Sequence, residues 1–250
     1  MKKFKFKRVY IYIFTAWACF IHIPMAFATG RPFLKLKIAD PIITPKVVET
    51  KVASMYKVYD SLKLNLHGLS EHAFQYAIKG YEYLLSKGKI ANDHIISIVD
   101  FTRPSSQKRL FVIDLNNYKI LFNTYVAHGQ GSGAEMATRF SNVPESFQSS
   151  LGFYKTSSTY IGKNGFSMKL EGLENGINDL AYERAIVMHG APYVSEDMAL
   201  SQGHIGRSWG CPAVPEKLNK PIIDKIKNGS CLFIFSENNN YLRKSRIINN

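Results

Sequence analysis

Gly206-Arg207-Ser208-Trp209-Gly210-Cys211-Pro212-Ala213-Val214 is the stretch of this chain from which fold and chemistry can be read. It places Cys211 among small and turn-forming residues, and His189-Gly190 ends an apolar run further upstream. A cysteine attacks a carbonyl as its thiolate, and histidine is the usual base that removes the thiol proton. Glycine lets backbone N–H groups approach the reacting carbonyl. The two segments therefore predict cysteine acyl transfer, with Cys211 as nucleophile and His189 as base.

The first 28 residues have the three-part layout of a secretory signal. A basic head precedes an apolar run over residues 9–23, and Ala26-Phe27-Ala28 supplies small residues before a cleavage site. The run is short for a membrane-spanning helix, and the alternative is an uncleaved N-terminal anchor. We therefore expect an exported protein of the periplasm or cell envelope.

The charge balance limits the classes of partner. The chain carries 32 basic and 19 acidic residues, a formal net charge of +13. Loss of the signal would remove five basic residues and no acidic one, which leaves +8. No Lys/Arg run with interleaved aromatic residues resembles a nucleic-acid reader, so we expect no nucleic-acid partner. A basic exported protein is attracted to anionic envelope polymers and lipids, and we expect a monomer in peripheral association with the envelope, without a cofactor.

The hydrophobic pattern predicts a mainly β fold with accessory helices, an α+β class. The clearest helix starts at Ser70, a good N-cap, and stops at Lys87-Gly88. A second helix is predicted over residues 215–227. The pair Asn116-Asn117 predicts a hairpin whose turn residues tolerate positive φ. Apolar runs predict strands over residues 94–101, 109–115, 118–127, 167–173, 185–189 and 231–235.

These elements divide the chain into four parts. A signal peptide covers residues 1–28, and an N-terminal extension with helices covers residues 29–92. A catalytic domain covers residues 93–236, and a flexible polar tail covers residues 237–250. The 250 residues, 46% of them hydrophobic, provide for one sizeable core.

Two cysteines remain after the signal, and an oxidising compartment would allow them to pair. Cys231 lies in an apolar run typical of a core strand, whereas Cys211 lies in a loop that enters a helix, so we expect Cys211 to be free. The helix start and nearby Arg207 would favour its thiolate. His204 is a second candidate base.

Two further segments are candidates for substrate binding. His128-Gly129 ends an apolar run and opens a glycine-rich loop, which could line the same cleft or form a surface turn. Residues 149–154 could form a substrate-lining strand through Ser150, Gly152 and Tyr154, or an edge strand. The set His128, His189, His204 and Cys211 matches no compact metal motif, so we expect no metal.

The chain resembles the L,D-transpeptidases, whose YkuD-like catalytic domain remodels bacterial peptidoglycan. The family signature is His-Gly, a loop and Ser-x-Gly-Cys, which here is His189-Gly190 and Ser208-Trp209-Gly210-Cys211. The chain is most similar to the murein L,D-transpeptidase catalytic domain branch, through residues 126–133, 149–154 and 206–214. The resemblance covers roughly residues 95–236 and implies a YkuD-like β-sandwich.

The resemblance also implies a mechanism. Cys211 would attack the third residue of a tetrapeptide stem and release D-alanine, and an acceptor amine would resolve the thioester. A carbonyl near Gly190, or Ser208, would orient His189, and the N–H groups of Gly210 and Cys211 would hold the oxyanion. Substrate contacts are expected from Arg207, Trp209, His128, Gly129, Ser150, Gly152 and Tyr154.

The sequence departs from the commoner family pattern at two positions. Trp209 stands where many members have histidine, and Ala213 stands where an arginine is frequent. A degenerate site is therefore one alternative. The others are an L,D-carboxypeptidase that uses water as acceptor, an exported cysteine peptidase, and a non-catalytic wall-binding module with Cys211 paired to Cys231.

Overall fold

The computed structural model describes residues 57–250; the predicted signal peptide and the first part of the predicted extension lie outside these residues. The helices whose two ends are both described are α1 Glu71–Ser86, α2 Glu196–Gln202, α3 Glu216–Ile226 and α4 Asn239–Lys244. The strands are β1 Ile95–Asp100, β2 Leu110–Asp114, β3 Lys119–Thr124, β4 Gly152–Gly162, β5 Gly165–Gly172, β6 Val187–Ala191, β7 Ala213–Pro215 and β8 Cys231–Phe235.

All eight strands join one sheet in the order β3-β2-β1-β8-β4-β5-β6-β7. β1 pairs in parallel with β8, and β6 pairs in parallel with β7, whereas the other neighbours are antiparallel. The predicted class, mainly β with accessory helices, is confirmed. The predicted sandwich is built from one continuous sheet.

Helix α1 belongs to the same core as the sheet. The Ser70 side chain accepts a hydrogen bond from the Ala73 N–H at 3.3 Å, as expected of an N-cap. The helix buries Phe74, Ile78 and Tyr81 in the cluster that also contains the central strands. Residues 71–86 therefore pack as part of the β domain, which differs from the predicted boundary after residue 92.

The hairpin between β2 and β3 is present, but its turn differs from the prediction. Asp114 Oδ1 accepts from the N–H groups of Asn116 at 3.1 Å and Asn117 at 2.9 Å. Positive φ occurs at Tyr118, at 49°, and at neither asparagine. The expected positive φ at the asparagines is wrong because the carboxylate, rather than a two-residue turn, organises the loop.

The C-terminal segment is folded, whereas the sequence predicts a flexible tail. Asn238 caps α4 by accepting from the Tyr241 N–H at 3.0 Å. Tyr241, Ile247 and Ile248 are buried in the core. Their hydrophobic burial explains why residues 239–248 stay attached despite a polar average composition.

Strands β6 and β7 form one end of the sheet, and this end positions the candidate site. Cys211 precedes β7, and His189 lies in β6. No helix within residues 57–250 is both long and apolar enough to cross a membrane.

Candidate active site

The turn that presents Cys211 is held by Ser208. The Ser208 hydroxyl donates to the Cys211 carbonyl at 2.6 Å and accepts from the Gly210 N–H at 3.0 Å. Gly210 has φ of 119°, and a Cβ there would lie 2.7 Å from the Gln148 carbonyl oxygen. Only glycine fits this backbone and this space. Ser208 thus shapes the turn and makes no hydrogen bond to His189.

The ring of His189 is oriented by its own strand. His189 is buried in β6, opposite Ser167 of β5 and Ala213 of β7. Nδ1 lies 2.9 Å from the Gly190 carbonyl oxygen, so this nitrogen carries the proton and donates it. Nε2 is then the basic nitrogen. Of the two expected orienting groups, the carbonyl of Gly190 makes the contact.

Parallel pairing of β6 with β7 brings the histidine and the cysteine onto adjacent segments. His189 pairs with Ala213, two residues after Cys211. The Cys211 thiol donates to the Ala185 carbonyl at 3.8 Å rather than to the imidazole. The hydrogen bond between a nucleophile and its base is often long or unformed before substrate binds.

Both groups are held towards their neutral forms. Burial raises the pKa of Cys211, against the opposing effects of the Val187 backbone N–H and of Arg184. Burial likewise lowers the pKa of His189, although the hydrogen bond to Gly190 opposes this. The resting pair is therefore a thiol and a neutral imidazole, and the proton must move during the reaction.

The predicted causes of a thiolate are wrong. Helix α3 begins at Glu216, with β7 between it and Cys211, so no helix start faces the sulfur. Arg207 is exposed, and its guanidinium donates to the Gly133 carbonyl at 3.1 Å. The cation that acts on the thiol is Arg184.

Arg184 is the residue that the sequence analysis missed. Its guanidinium donates to the carbonyls of Ser141 at 2.8 Å and Gln148 at 2.6 Å, and to the hydroxyl of Ser150 at 2.5 Å. It thereby fixes the loop before β4 against the Cys211 turn. Its charge, set just before the apolar run that leads to His189, is the only signal that could have drawn attention to it.

Trp209 is exposed on the turn that carries Cys211, two residues before the cysteine. The indole is 68% exposed, and its ring contacts that of Phe147 with centroids 5.6 Å apart. Phe147 has φ of 53°, which is uncommon for a bulky residue. Strain of this kind persists only where the surroundings impose it, and it clusters at functional sites. The pair forms an aromatic surface next to Cys211.

His128 is a structural residue, in contrast to its predicted role in substrate binding. The side chain is fully buried, with Nδ1 2.8 Å from the Arg109 guanidinium and Nε2 3.3 Å from the Gly133 carbonyl oxygen. Burial, followed by the charge of Arg109, lowers the pKa of His128 to about 4. A neutral ring that accepts from buried Arg109 has no nitrogen left for a ligand.

The other predicted contact residues are also engaged by the protein. Gly129 donates its N–H to the Ser149 hydroxyl at 3.0 Å, and Ser150 donates to the Ser141 carbonyl at 2.8 Å. Tyr154 is fully buried and donates to the Ser150 carbonyl at 2.9 Å. Gly152 is required because a Cβ there would lie 2.3 Å from Glu174 Oε1. The Gly129 N–H and the Ser150 and Tyr154 hydroxyls therefore already bond within the protein.

Three other interpretations concern a disulfide, a second base and a metal site. Cys211 and Cys231 are both free, and three strands of the sheet separate β8, which contains Cys231, from β7. His204 is exposed, with Nδ1 3.0 Å from the Ile205 carbonyl oxygen. Among residues 57–250, no three His, Cys, Asp or Glu side chains are grouped closely enough to hold a metal ion.

Comparison with known proteins identifies a family. The sequence profile of the L,D-transpeptidase catalytic domain matches residues 65–235. A search of curated proteins finds no significant match. Among solved structures, the chain is similar to an L,D-transpeptidase from Mycobacterium smegmatis, with 12% identity and a TM-score of 0.36 over 57% of this chain and 59% of that chain.

Two other solved structures are similar in the same way. One is the helical cell shape determining protein Pgp2 from Campylobacter jejuni, with 12% identity and a TM-score of 0.38 over 58% of this chain and 48% of that chain. The other is an L,D-transpeptidase from Stackebrandtia nassauensis, with 16% identity and a TM-score of 0.34 over 68% of this chain and 69% of that chain. The chain thus spans about half of the Campylobacter protein that it matches.

Proposed function

Because the chain belongs to the L,D-transpeptidase catalytic domain family, we propose that it is a cysteine-dependent acyl transferase of peptidoglycan. The observation that carries the proposal is the contact between His189 Nδ1 and the Gly190 carbonyl at 2.9 Å. It leaves Nε2 as a base on the strand that pairs with the segment after Cys211. A base oriented in this way is what a neutral thiol requires.

The first half-reaction forms a thioester and releases D-alanine. His189 Nε2 takes the thiol proton while Cys211 Sγ attacks the carbonyl carbon of the third residue of a tetrapeptide stem. The tetrahedral intermediate collapses, the C–N bond to D-alanine breaks, and the His189 imidazolium gives its proton to the leaving amine.

The second half-reaction transfers the acyl group. An amine from a second stem attacks the thioester, the new C–N bond forms, and the C–S bond breaks. The proton lost by the amine returns to the sulfur through His189. Water in place of the amine would make the enzyme an L,D-carboxypeptidase.

We assign the oxyanion contact to the backbone N–H of Cys211. The Gly210 N–H is already used by the Ser208 hydroxyl at 3.0 Å, so the expected pair of donors is reduced by one. The Cys211 N–H makes no hydrogen bond within residues 57–250. A free N–H next to the nucleophile is suitably placed for charge that develops on the attacked carbonyl.

The Trp209–Phe147 surface is our candidate for stem binding, together with exposed Arg207. Exposed aromatic rings beside a nucleophile favour contact with a partly apolar substrate. As part of the same proposal we place the protein in the periplasm or cell envelope, as a monomer that associates with the envelope at its surface. The predicted export signal and the basic net charge of +13 support this placement.

Incubation of the full chain with a disaccharide-tetrapeptide, followed by mass spectrometry, tests the proposal. We expect loss of D-alanine with a cross-linked dimer, abolished in Cys211→Ala and retained in the matched control Cys231→Ala. Tripeptide without dimer would identify the carboxypeptidase. Cleavage of L,L-peptides with no action on the stem would overturn the proposal in favour of a peptidase, and unchanged turnover in Cys211→Ala would refute the nucleophile.

A further inference from the structure

A cleft of about 870 Å³ lies away from the Cys211 site and shares no residue with the groups assigned to the acyl-transfer reaction. Its walls come from the end of α1, the strands β4 and β5, the loop after β5 and the C-terminal segment. Its volume is within the range of pockets for organic ligands and far exceeds a single phosphate or carboxylate group. The lining includes the cations Lys87, Lys89, Lys155, Lys244 and Arg246.

The two acidic residues that line the cleft already have partners within the protein. Glu171 pairs with Lys155 at 2.5 Å. Glu174 is buried and accepts from the Phe153 N–H at 2.9 Å, from the Tyr241 hydroxyl at 3.0 Å and from the Ser245 hydroxyl. Neither carboxylate is therefore available to neutralise the other cations of the rim.

Four of the five cations are left without an acidic partner. Lys87, Lys89, Lys244 and Arg246 form no ion pair within the described range 57–250. Lys87 lies 5.5 Å from the centroid of the Tyr83 ring, which does not remove its charge. The cleft thus concentrates positive charge that no described acidic side chain balances.

The backbone that carries the two C-terminal cations is anchored in the core. Lys244 and Arg246 are exposed, but Ser245 between them and Ile247 after them are buried. Ile247 and Leu84, both buried, also form apolar parts of the cleft wall. The buried neighbours fix the backbone that carries these two cations, and a concave surface with low-dielectric walls focuses their field into the cleft.

We propose that this cleft binds an extended polyanion that carries phosphate or carboxylate groups along its chain. The cations come from separate segments and surround a concave space, which a flexible chain can enter. A flat lipid surface would reach the rim but not the wall. The site is independent of the acyl-transfer proposal because it uses none of the residues assigned to that reaction.

Fluorescence anisotropy of labelled polyphosphate with the full chain tests the proposal. The double variant Lys244→Glu/Arg246→Glu should raise the Kd about tenfold or more at low salt. The matched control Lys163→Glu/Lys225→Glu changes the net charge equally at exposed positions outside the cleft, and its effect should be much smaller. Equal weakening by both pairs would overturn the proposal in favour of non-specific attraction.

Four further measurements complete the test. Lys87→Glu/Lys89→Glu, on a different segment, should weaken binding as well, and thermal unfolding confirms that each variant is folded. Displacement of the label by polyglutamate would indicate carboxylate as well as phosphate recognition, whereas competition by inorganic polyphosphate alone would indicate phosphate. Binding to phosphatidylglycerol vesicles that falls in the cleft variants, with polyphosphate binding unchanged, would overturn the proposal in favour of a membrane surface. Cys211→Ala should bind normally, so failure here and failure of the acyl-transfer proposal are distinguishable.

Discussion

At the scale of single residues, the site combines a partly buried thiol with a buried imidazole whose tautomer is set by the backbone. The Gly190 carbonyl serves where other cysteine enzymes use an amide or a carboxylate. Because a carbonyl carries no full charge, it orients His189 without raising its pKa strongly. This explains why burial dominates and the pKa of His189 lies below the ordinary value.

The first prediction concerns the pH dependence of the rate. His189 must be neutral to act as a base, and its pKa is lowered from 6.5. We therefore expect the midpoint of the acid limb of kcat/KM for D-alanine release to lie below pH 6.5, so that more than half of the maximal value is retained at pH 6.5. A midpoint at or above 6.5 would contradict a neutral resting pair and would indicate an ion pair instead.

The second prediction concerns Arg184. Arg184→Met removes the charge that opposes the effect of burial on Cys211, so the pKa of the thiol should rise further. The pH dependence of alkylation by iodoacetamide measures this shift. Arg184→Lys is the matched control: it keeps the charge but loses part of the hydrogen-bonding fork, so it should restore most of the thiol pKa.

Both substitutions should also loosen the loop before β4. The guanidinium makes strong contacts to Ser141, Gln148 and Ser150, and their loss should lower the free energy of unfolding by about 2 kcal/mol. A loss of stability without any change in the thiol pKa would mean that Arg184 only supports the loop.

The third prediction concerns His128. The unfolded chain takes up a proton near pH 6.5, but the native ring does so only at about 4. Stability is therefore full above pH 6.5 and is lost as the pH falls, by about 3 kcal/mol at pH 4 from this group. Urea unfolding of His128→Asn should give a lower free energy of unfolding that also depends less on pH. A pH dependence as steep as that of the unmodified chain would contradict the assignment.

At the scale of secondary structure elements, strong hydrophobic patterns were predictable. The strands β1, β2, β5, β6 and β8 and the helices α1 and α3 all have clear apolar periodicity. β7 was not predictable, because its three residues are a strand only through pairing with β6. The outer half of β4 is exposed and polar, and helix α4 has a single buried residue, so neither has a distinctive sequence pattern.

The site was predictable to a similar extent. The motif around Cys211 and the position of His189 follow from local chemistry. The contacts of His128 and Ser150 depend on partners far along the chain, namely Arg109 and Arg184. Sequence alone shows polar or aromatic residues at these positions but not whether their polar atoms face a ligand or the protein.

The fourth prediction concerns the C-terminal segment. Deletion of residues 237–250 removes the buried side chains Tyr241, Ile247 and Ile248 and exposes buried Glu174. We expect the free energy of unfolding to fall by about 4 kcal/mol or more in urea titration. Arg243→Ala, an exposed position in the same helix, is the control and should change little; a flexible tail would give the same small change on deletion.

At the scale of the whole molecule, one sheet carries two separate features. Its β6–β7 end holds the cysteine and histidine, and the cleft beside β4 and β5 holds the unpaired cations. Under the two proposals, the first feature serves the acyl-transfer chemistry and the second serves retention by an anionic polymer. The two are assigned independently, and each has its own variants.

Intact-protein mass spectrometry during turnover tests the central claim most directly. Rapid quenching of the full chain with a disaccharide-tetrapeptide should trap a thioester whose mass equals the stem without its terminal D-alanine. Peptide mapping should place the adduct on Cys211, and the adduct should be absent from Cys211→Ala and present in Cys231→Ala. D-alanine release with no adduct on Cys211, or an adduct on Cys231, would contradict the account.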